Sequence, residues 1–566
     1  MPTTTKSFAA PGPGTWELET AHFPRPASRL VQHATLAGFA AGFAESTARF
    51  GVMLSHLQPA YVNDFAYMQA VPFGAPPGAK GPPPRAVFWL LTRAVPKLRA
   101  RVTASHDAFE RKLWREDLNE WDARVKPAAD ARHRQMQALS VEKLDARELA
   151  AHLAECVANN AAMVRQHHRF TITCTLPIGD FLAQVGAWTG RPTGEILAAV
   201  RGASAISLGA ARAELQALAE AVARDPAAQA TLDGDGPAAD TLARLCDAGG
   251  DVGSAARAYL DVVRHRAVGY DVCAPSAGEL PDTLLGAVRA ATRGAGSRGD
   301  TDGARAISSL RERVPVEHRA RFDELLAEAR HIARLRDERG HHSEGWAIGI
   351  TRRAVLEAGR RLAADGQLRD AALLLDATPE ELDRFVTAGR VSEAERAELE
   401  ARRAWRTTKS VSDADVPKFL GGEPGAPPPV DWLPERGRRA GRAVEAVMTG
   451  IFQEPAPAGA EAIKGLAVSP GVYEGTARLV DREEEFGRIA QGDVLVTRAT
   501  APYFNVVLPL LGAIVTDRGG QLCHAAIVAR EYGIPGVVGT IRATAKIRDG
   551  QRVRVDGDTG EVTLLG

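Results

Sequence analysis

The sequence predicts a multidomain protein: a mainly α-helical N-terminal body followed by a C-terminal α/β domain. Three observations carry that prediction. The chain has 566 residues, beyond the roughly 250–300 at which a single core stops growing. From about residue 28 to 407, apolar residues recur at helical spacing. From about residue 463 the pattern changes to short β-branched runs bounded by Gly or Asp.

Residues 1–27 are rich in Pro, Gly and Thr and read as irregular. The helical body, 28–407, shows its logic in "LDARELAAHLAECV". Asp145 can cap, Glu148 stands three residues on, and Leu144 and Leu149 can staple the cap. Leu149, Leu153 and Val157 then share one face. "ATPEELDRFV" repeats this with Thr378, Pro379 and Glu381, and "VSEAERAELEARRAW" with Ser392 and Glu395. "FGAPPGAKGPPP" (73–84) and "GAGSRGDTDG" (294–303) read as loops. Residues 408–462 read as a Pro/Gly-rich linker, "GGEPGAPPPVDW" then "QEPAPAGAEA", around a short basic helix at about 434–451. The last domain, 463–566, offers strands at "DVLVT" (493–497), "GAIVT" (512–516), "GVVG" (536–539), "RVRVD" (552–556) and "EVTLL" (561–565). A small domain on a linker beside a large one implies movement.

Composition narrows the function. Seventy basic and 70 acidic side chains balance, which argues against nucleic acid or an anionic membrane as the main partner. Five scattered cysteines, an odd number with no CxxC, are no disulfide framework and point to a reducing cytoplasm. "MPTTTKSFAAPGPG" has no apolar core of a signal peptide. No apolar run approaches the ~18–20 residues that span a bilayer.

Several motifs fail on context. "GAGSRG" (294–299) matches GxGxxG but follows a helical pattern and runs into a polar loop. No GxxxxGK[ST], HExxH or GxSxG occurs. The pairs His167–His168 and His341–His342 point about 100° apart if helical, a poor geometry for sharing one metal ion. No metal site is expected.

"TDRGGQLCHAAIVAREYGIPG" (516–536) holds up. A buried strand ends near Thr516, and Gly519 and Gly520 permit positive φ or close backbone approach. "CHAAIVAREYG" reads as a helix of about two turns, stopped by Gly533, Ile534 and Pro535. His524 therefore lies at a helix N-terminus. The free N–H groups and dipole there favour an anion and disfavour an imidazolium. A neutral ring in that place suits uptake and release of a phosphoryl group. An ordinary histidine at the start of an α/β helix fits the same physics.

The stretch resembles the swivelling phosphohistidine signature of enzymes that make or use phosphoenolpyruvate: a glycine pair, two residues, a small Ser/Thr/Cys, the phosphorylated His, then A-x-x-A-R-E-x-G-I-P. Gly519, Gly520, Cys523, His524, Ala526, Ala529, Arg530, Glu531, Gly533, Ile534 and Pro535 meet it. "KGLAVSPGVYEGTARLV" (464–480) and "IRDGQRVRVDGDTGEVTLL" resemble the opening and end of that domain. The resemblance implies that His524 carries phosphate between remote sites, with Thr516, Gly519, Gly520, Cys523 and Arg530 supporting its loop. It also implies an ATP-grasp domain as phosphate source, yet these residues hold no counterpart of one. The expectation is therefore a separate ATP-grasp protein binding ATP and Mg²⁺, with no cofactor bound directly here. The domain order is most like the later part of rifampicin phosphotransferases or the catalytic subunit of phenylphosphate synthases. "WELETAHFPRPASRL" and "RLRDERGHHSEGWAIGITRRAVLEAGRRLAADGQL" (334–368) resemble that family's substrate-binding domain.

The last stretch concentrates positive charge. Arg336 and Arg339 are candidate contacts to a transferring phosphoryl group, or members of a solvated helix face paired with Asp337 and Glu338. His341 and His342 are candidate bases for an accepting hydroxyl. The function expected is a phosphotransferase component serving a small hydroxylated or carbonyl acceptor. The alternatives are a non-enzymatic phosphohistidine carrier or regulator, and a relative that has lost transfer.

Overall fold

The structure is a computed structural model that describes all residues except 1–5, 77, 80, 201–210, 294–300, 453–462, 481, 501 and 566. The "GAGSRG" stretch and "QEPAPAGAEA" thus lie outside the described residues.

The chain divides into two compact units that do not follow chain order. One comprises residues 1–174, 270–273 and 342–442, the other 175–269, 274–341 and 443–566. The expected boundary at 463 marks the change from helix to strand. The second unit cuts elsewhere because one apolar core runs through helices and strands alike: Leu218, Val222, Val252, Tyr259, Leu284 and Val288 cluster with Leu495, Ile514, Ala526 and Val528.

In the first unit the expected caps form. Asp145 accepts from the Glu148 amide while Glu148 bonds back to the Asp145 amide, and Thr378/Glu381 and Ser392/Glu395 repeat the box. The helices named below are α1 (Lys126–Ala138), α2 (Ala146–Arg169), α3 (Arg319–Gly340), α4 (Trp346–Ala364), α5 (Glu435–Phe452) and α6 (His524–Tyr532). Ala129 of α1, Met163 of α2 and Ala347 of α4 form one apolar cluster.

The helical reading of 28–407 needs a correction. Strands β2 (Leu54–Val62) and β3 (Phe65–Pro72) form a hairpin. Its two-residue turn, Asn63-Asp64, has both φ values positive, at 51° and 69°, the geometry that matches the twist of the flanking strands. β1 (Trp16–Leu18) from the supposedly irregular N-terminus and β4 (Phe419–Leu420) from the linker complete a four-stranded sheet in the order β2-β3-β1-β4. Trp16, Leu18, Phe65, Tyr67 and Leu420 are its core. The loop placed at 294–303 also ends early, because a helix begins at Thr301.

In the second unit an eight-stranded sheet has the order β5-β12-β11-β7-β8-β9-β10-β6. Its strands are β5 (Ile463–Lys464), β6 (Leu466–Ser469), β7 (Val472–Leu479), β8 (Asp493–Thr497), β9 (Leu511–Thr516), β10 (Gly536–Val538), β11 (Arg552–Asp556) and β12 (Glu561–Leu564). β7, β8, β9 and β10 run parallel. Both faces of the centre are covered: Val494, Val496, Ala513 and Val515 pack on one side, and Leu495 and Ile514 on the other. That double burial explains the near-continuous apolar runs in these strands. Pairing of Thr497 with Thr516 brings the ends of β8 and β9 level, and the loops that leave those ends build the site.

Candidate phosphohistidine site

β9 ends at Thr516, residues 517–523 turn, and α6 starts at His524. Cys523 occupies the cap position in extended conformation, and Gly533 closes the helix at φ 64°. Thr516, Gly519, Gly520, Cys523 and Arg530 lie in the end of β9, the turn and α6. Thr516 is fully buried, and its hydroxyl donates to the Arg518 carbonyl at 2.8 Å. Gly519 has φ 120°, and a Cβ there would stand 2.6 Å from Cys523 Sγ. A Cβ on Gly520 would meet the Gly450 carbonyl oxygen of α5 at 2.4 Å. The Leu522 amide donates to that same oxygen at 3.0 Å, so the loop needs its glycine to lie against the end of α5. Arg530 is buried. Its guanidinium donates to the Val468 carbonyl at 3.1 Å and to Gln521 Oε1 at 3.2 Å, and also to the Gln521 carbonyl. One side chain thus ties the loop to β6.

The Cys523 thiol is pushed above its ordinary range by burial, with helix-start amides and the Arg530 charge only partly opposing. A thiolate is disfavoured there, and the side chain packs against Gly519.

His524 is half-buried. Its Nδ1 lies 3.0 Å from Thr500 Oγ1 and its Nε2 lies 2.9 Å from Asn505 Oδ1. A carbonyl oxygen only accepts, so Nε2 carries the proton and Nδ1 accepts from the Thr500 hydroxyl. The ring is held at both ends. Its pKa is lowered to about 3, first by burial and second by the positive charge of Arg336. The neutral, nucleophilic form is therefore the resting form at any physiological pH.

Arg336 reaches the loop that presents His524. From α3 its Nη2 donates to the Leu522 carbonyl at 2.6 Å, two residues before the histidine. Arg334, by contrast, pairs with Glu338 along the helix at 2.8 Å. Arg339 occupies the last turn of α3. The His341 carbonyl accepts from Arg266 at 2.7 Å. His342 belongs to the other compact unit, where its Nδ1 meets Asp130 Oδ1 at 2.7 Å.

Sequence reasoning did not find Thr500, Asn505, Asp517 or Gln521. Asp517 accepts from Thr540 Oγ1 and the Thr544 amide, both at 3.1 Å, and from the Thr544 hydroxyl. It pins the start of the His loop to the segment after β10. The available signal was topological: ligand-handling residues gather at the carboxyl ends of parallel strands, and Thr500 and Asn505 follow β8 there.

Two consequences of this geometry are measurable. Because folding lowers the His524 pKa from 6.5 to about 3, the folded ring stays neutral where the unfolded chain binds a proton. The histidine costs no stability above about pH 7, and stability is lost as pH falls from 6.5 towards 3, at no more than about 1.4 kcal/mol per pH unit. Wild type should therefore lose about 1–2 kcal/mol more than His524→Gln between pH 7 and pH 5 in denaturant titrations. Removing the charge in Arg336→Met should raise the His524 titration, followed through its ring proton by NMR. An unmoved titration would show that the Arg336 charge does not reach the ring.

Comparison with known proteins agrees with the resemblance read from the sequence. Residues 489–560 match the family described as PEP-utilising enzyme, mobile domain. Residues 178–337 match the rifampicin phosphotransferase fourth domain. The chain thus carries, in this order, a segment similar to the rifampicin phosphotransferase fourth domain and a segment similar to the mobile domain of phosphoenolpyruvate-utilising enzymes. It is 31% identical over 369 residues to a Streptomyces protein named rifampicin phosphotransferase, covering 62% of this chain and 39% of that protein. It is 30% identical to an uncharacterized phosphotransferase, YvkC, of Bacillus subtilis, over 44% of this chain and 27% of the relative. A probable phosphoenolpyruvate synthase of Archaeoglobus fulgidus is 47% identical over 100 residues, 18% of this chain and 13% of the relative. The chain spans well under half the length of these relatives. Among the described residues, no helix is long and apolar enough to cross a membrane, and no three His, Cys, Asp or Glu side chains gather as metal ligands.

Proposed function

We propose that this protein is a phosphotransferase component in which His524 takes a phosphoryl group originating from ATP and passes it to a small acceptor bound by the helical body. The observation that carries the reading is the state of His524: neutral, clamped by Thr500 and Asn505, at the start of a helix, with Arg336 beside it. A neutral imidazole attacks phosphorus, and the phosphorylated ring gains from the helix amides and the arginine charge. One of the two ring contacts is given up on charging, since the nitrogen that binds phosphorus loses its hydrogen-bond partner.

The phosphoryl source is an ATP-grasp module outside these 566 residues, expected as a separate protein that holds ATP and Mg²⁺. AMP and inorganic phosphate are the by-products implied by the resemblance. The relatives' names support phosphotransfer as the reaction class and leave the acceptor to be found.

The test pairs this protein with an ATP-grasp protein shown to bind it. Without acceptor, AMP should form in amounts stoichiometric with this chain and then stop; with acceptor it should continue. AMP formation that ignores a His524→Ala substitution would contradict the reading. A burst that no metabolite converts to turnover would favour the regulatory carrier instead.

A further inference from the structure

The first compact unit carries a surface that the phosphohistidine chemistry does not use. The helix Arg85–Ala94 is fixed to the unit by one face. Phe88 and Thr92 are buried, and the Phe88 ring lies 6.0 Å from that of Trp432 between centroids. The opposite face turns apolar side chains outward: Val87 is 45% exposed, Trp89 53% and Leu90 56%. Single exposed apolar residues are ordinary, but three within one turn of helix mark an interaction surface.

Charge around this patch has one sign. Between Asp64 and Asp107 the sequence has no acidic residue. Arg85, Lys97 and Arg99 are exposed and Arg93 is half-buried, with the Arg93 guanidinium 4.5 Å from the Trp89 ring centroid. The basic start of α5 extends the surface. It meets the helix Pro96–Glu110 where the Ser105 hydroxyl donates to the Arg436 carbonyl at 3.5 Å and the Arg439 guanidinium lies 4.2 Å over the Phe109 ring. There Arg436, Arg438, Arg439 and Arg442 outnumber Asp431 and Glu435, and Asp431 already pairs with Arg442 at 3.4 Å. The balance of 70 basic and 70 acidic side chains over the whole chain hides this local asymmetry.

The kinds of side chain on the face select its partner. A protein interface relies on fixed hydrogen-bonding groups, about one bond per 100–200 Å². In "RAVFWLLTRAVPKLRA" (85–100), apart from the Trp89 indole, the only neutral polar side chain is Thr92, and it is spent on the Phe88 carbonyl at 3.0 Å. The remaining polar side chains are long, flexible cations. Nucleic acid would use the cations and gain nothing from Val87 and Leu90. A fluid anionic surface uses both: aliphatic and tryptophan side chains enter the headgroup region, and Lys and Arg meet phosphates without a fixed register. We propose that this face seats the protein on an anionic lipid surface. The helix Arg85–Ala94 lies in the interface plane, with Val87, Trp89 and Leu90 inserted and Arg85, Arg93, Lys97 and Arg99 at the lipid phosphates. Such seating is peripheral and needs no membrane-crossing helix. It stands independently of the phosphotransfer reading.

The experiment sediments the full chain with two kinds of vesicle, phosphatidylcholine alone and phosphatidylcholine with about one third phosphatidylglycerol. Wild type should bind the anionic vesicles on the order of 10-fold or more tighter than the neutral ones, and should lose that preference as salt is raised. Removing three charges together, as Arg93→Gln, Lys97→Gln and Arg99→Gln, should weaken anionic binding on the order of 10²-fold. Trp89→Ser combined with Leu90→Ser should weaken it on the order of 10-fold or more. Both variants should keep the wild-type melting temperature, because the altered side chains sit at the surface. Equal binding to the two vesicles, or anionic binding that both variants retain, overturns the inference. Indifference to both vesicles together with capture by soluble polyglutamate would make the face a docking surface for an acidic protein, and overturns it as well.

Discussion

His524→Asn is expected to take up no acid-labile phosphoryl group while keeping the wild-type fold above pH 7. Asparagine can preserve one of the two ring contacts, to Thr500 or Asn505, but has no nucleophilic nitrogen of comparable basicity. The loss should be complete, because the substitution removes the nitrogen that the neutral charge state and the helix-start amides prepare for phosphorus. Cys523 should not substitute for the histidine, since burial raises its thiol pKa and the thiolate is the reactive form. Charging followed by peptide mapping, with circular dichroism as the control for folding, checks this.

Arg530→Met should be the most damaging substitution that leaves His524 in place. The arginine is buried and fills three acceptors: the Val468 carbonyl, Gln521 Oε1 and the Gln521 carbonyl. Methionine fills similar volume but donates nothing, so the apolar part of the packing survives and the acceptors are orphaned. A buried unsatisfied acceptor costs about 1–3 kcal/mol, and Gln521 would retain its own bond to the Ala467 carbonyl at 3.0 Å. A destabilisation of about 3 kcal/mol is the expected outcome of equilibrium unfolding. Charging should fall even at temperatures where the variant is folded, because the loop that presents His524 loses its tie to β6. A variant as stable and as readily charged as wild type would show that the loop is held by other contacts.

How much of this was legible in the sequence depended on whether the signal was local. The capping boxes at Asp145, Thr378 and Ser392 need only residues three apart, and each forms as read. The strand–glycine turn–helix unit around His524 is likewise local, and β9, α6 and β10 fall within a residue or so of expectation. The hairpin of β2 and β3 carries a local signal only in Asn63-Asp64, a pair that tolerates positive φ, because its strands do not alternate between buried and exposed residues. Its partners in the sheet, β1 and β4, lie far off in sequence, and no short window could reveal them. The site shows the same division. His524 and its glycines were readable. Thr500 and Asn505, 24 and 19 residues upstream, become visible only when β8 and β9 are paired in register. Arg336, 186 residues from Leu522, was picked out for its charge, and only the fold separates its place from those of Arg334 and Arg339. Asp130 gave no signal at all, being one carboxylate among 70 acidic residues until α1 and α4 set it against His342.

The central claim is that phosphate travels on His524, and the most direct measurement locates it. The protein is incubated with its ATP-grasp partner and ATP radiolabelled at the β-phosphate, then digested at alkaline pH and mapped. The account predicts a single acid-labile, base-stable label on the peptide that contains His524, lost in His524→Ala. Label on another residue, or none on a wild-type chain shown to bind the partner, would contradict it.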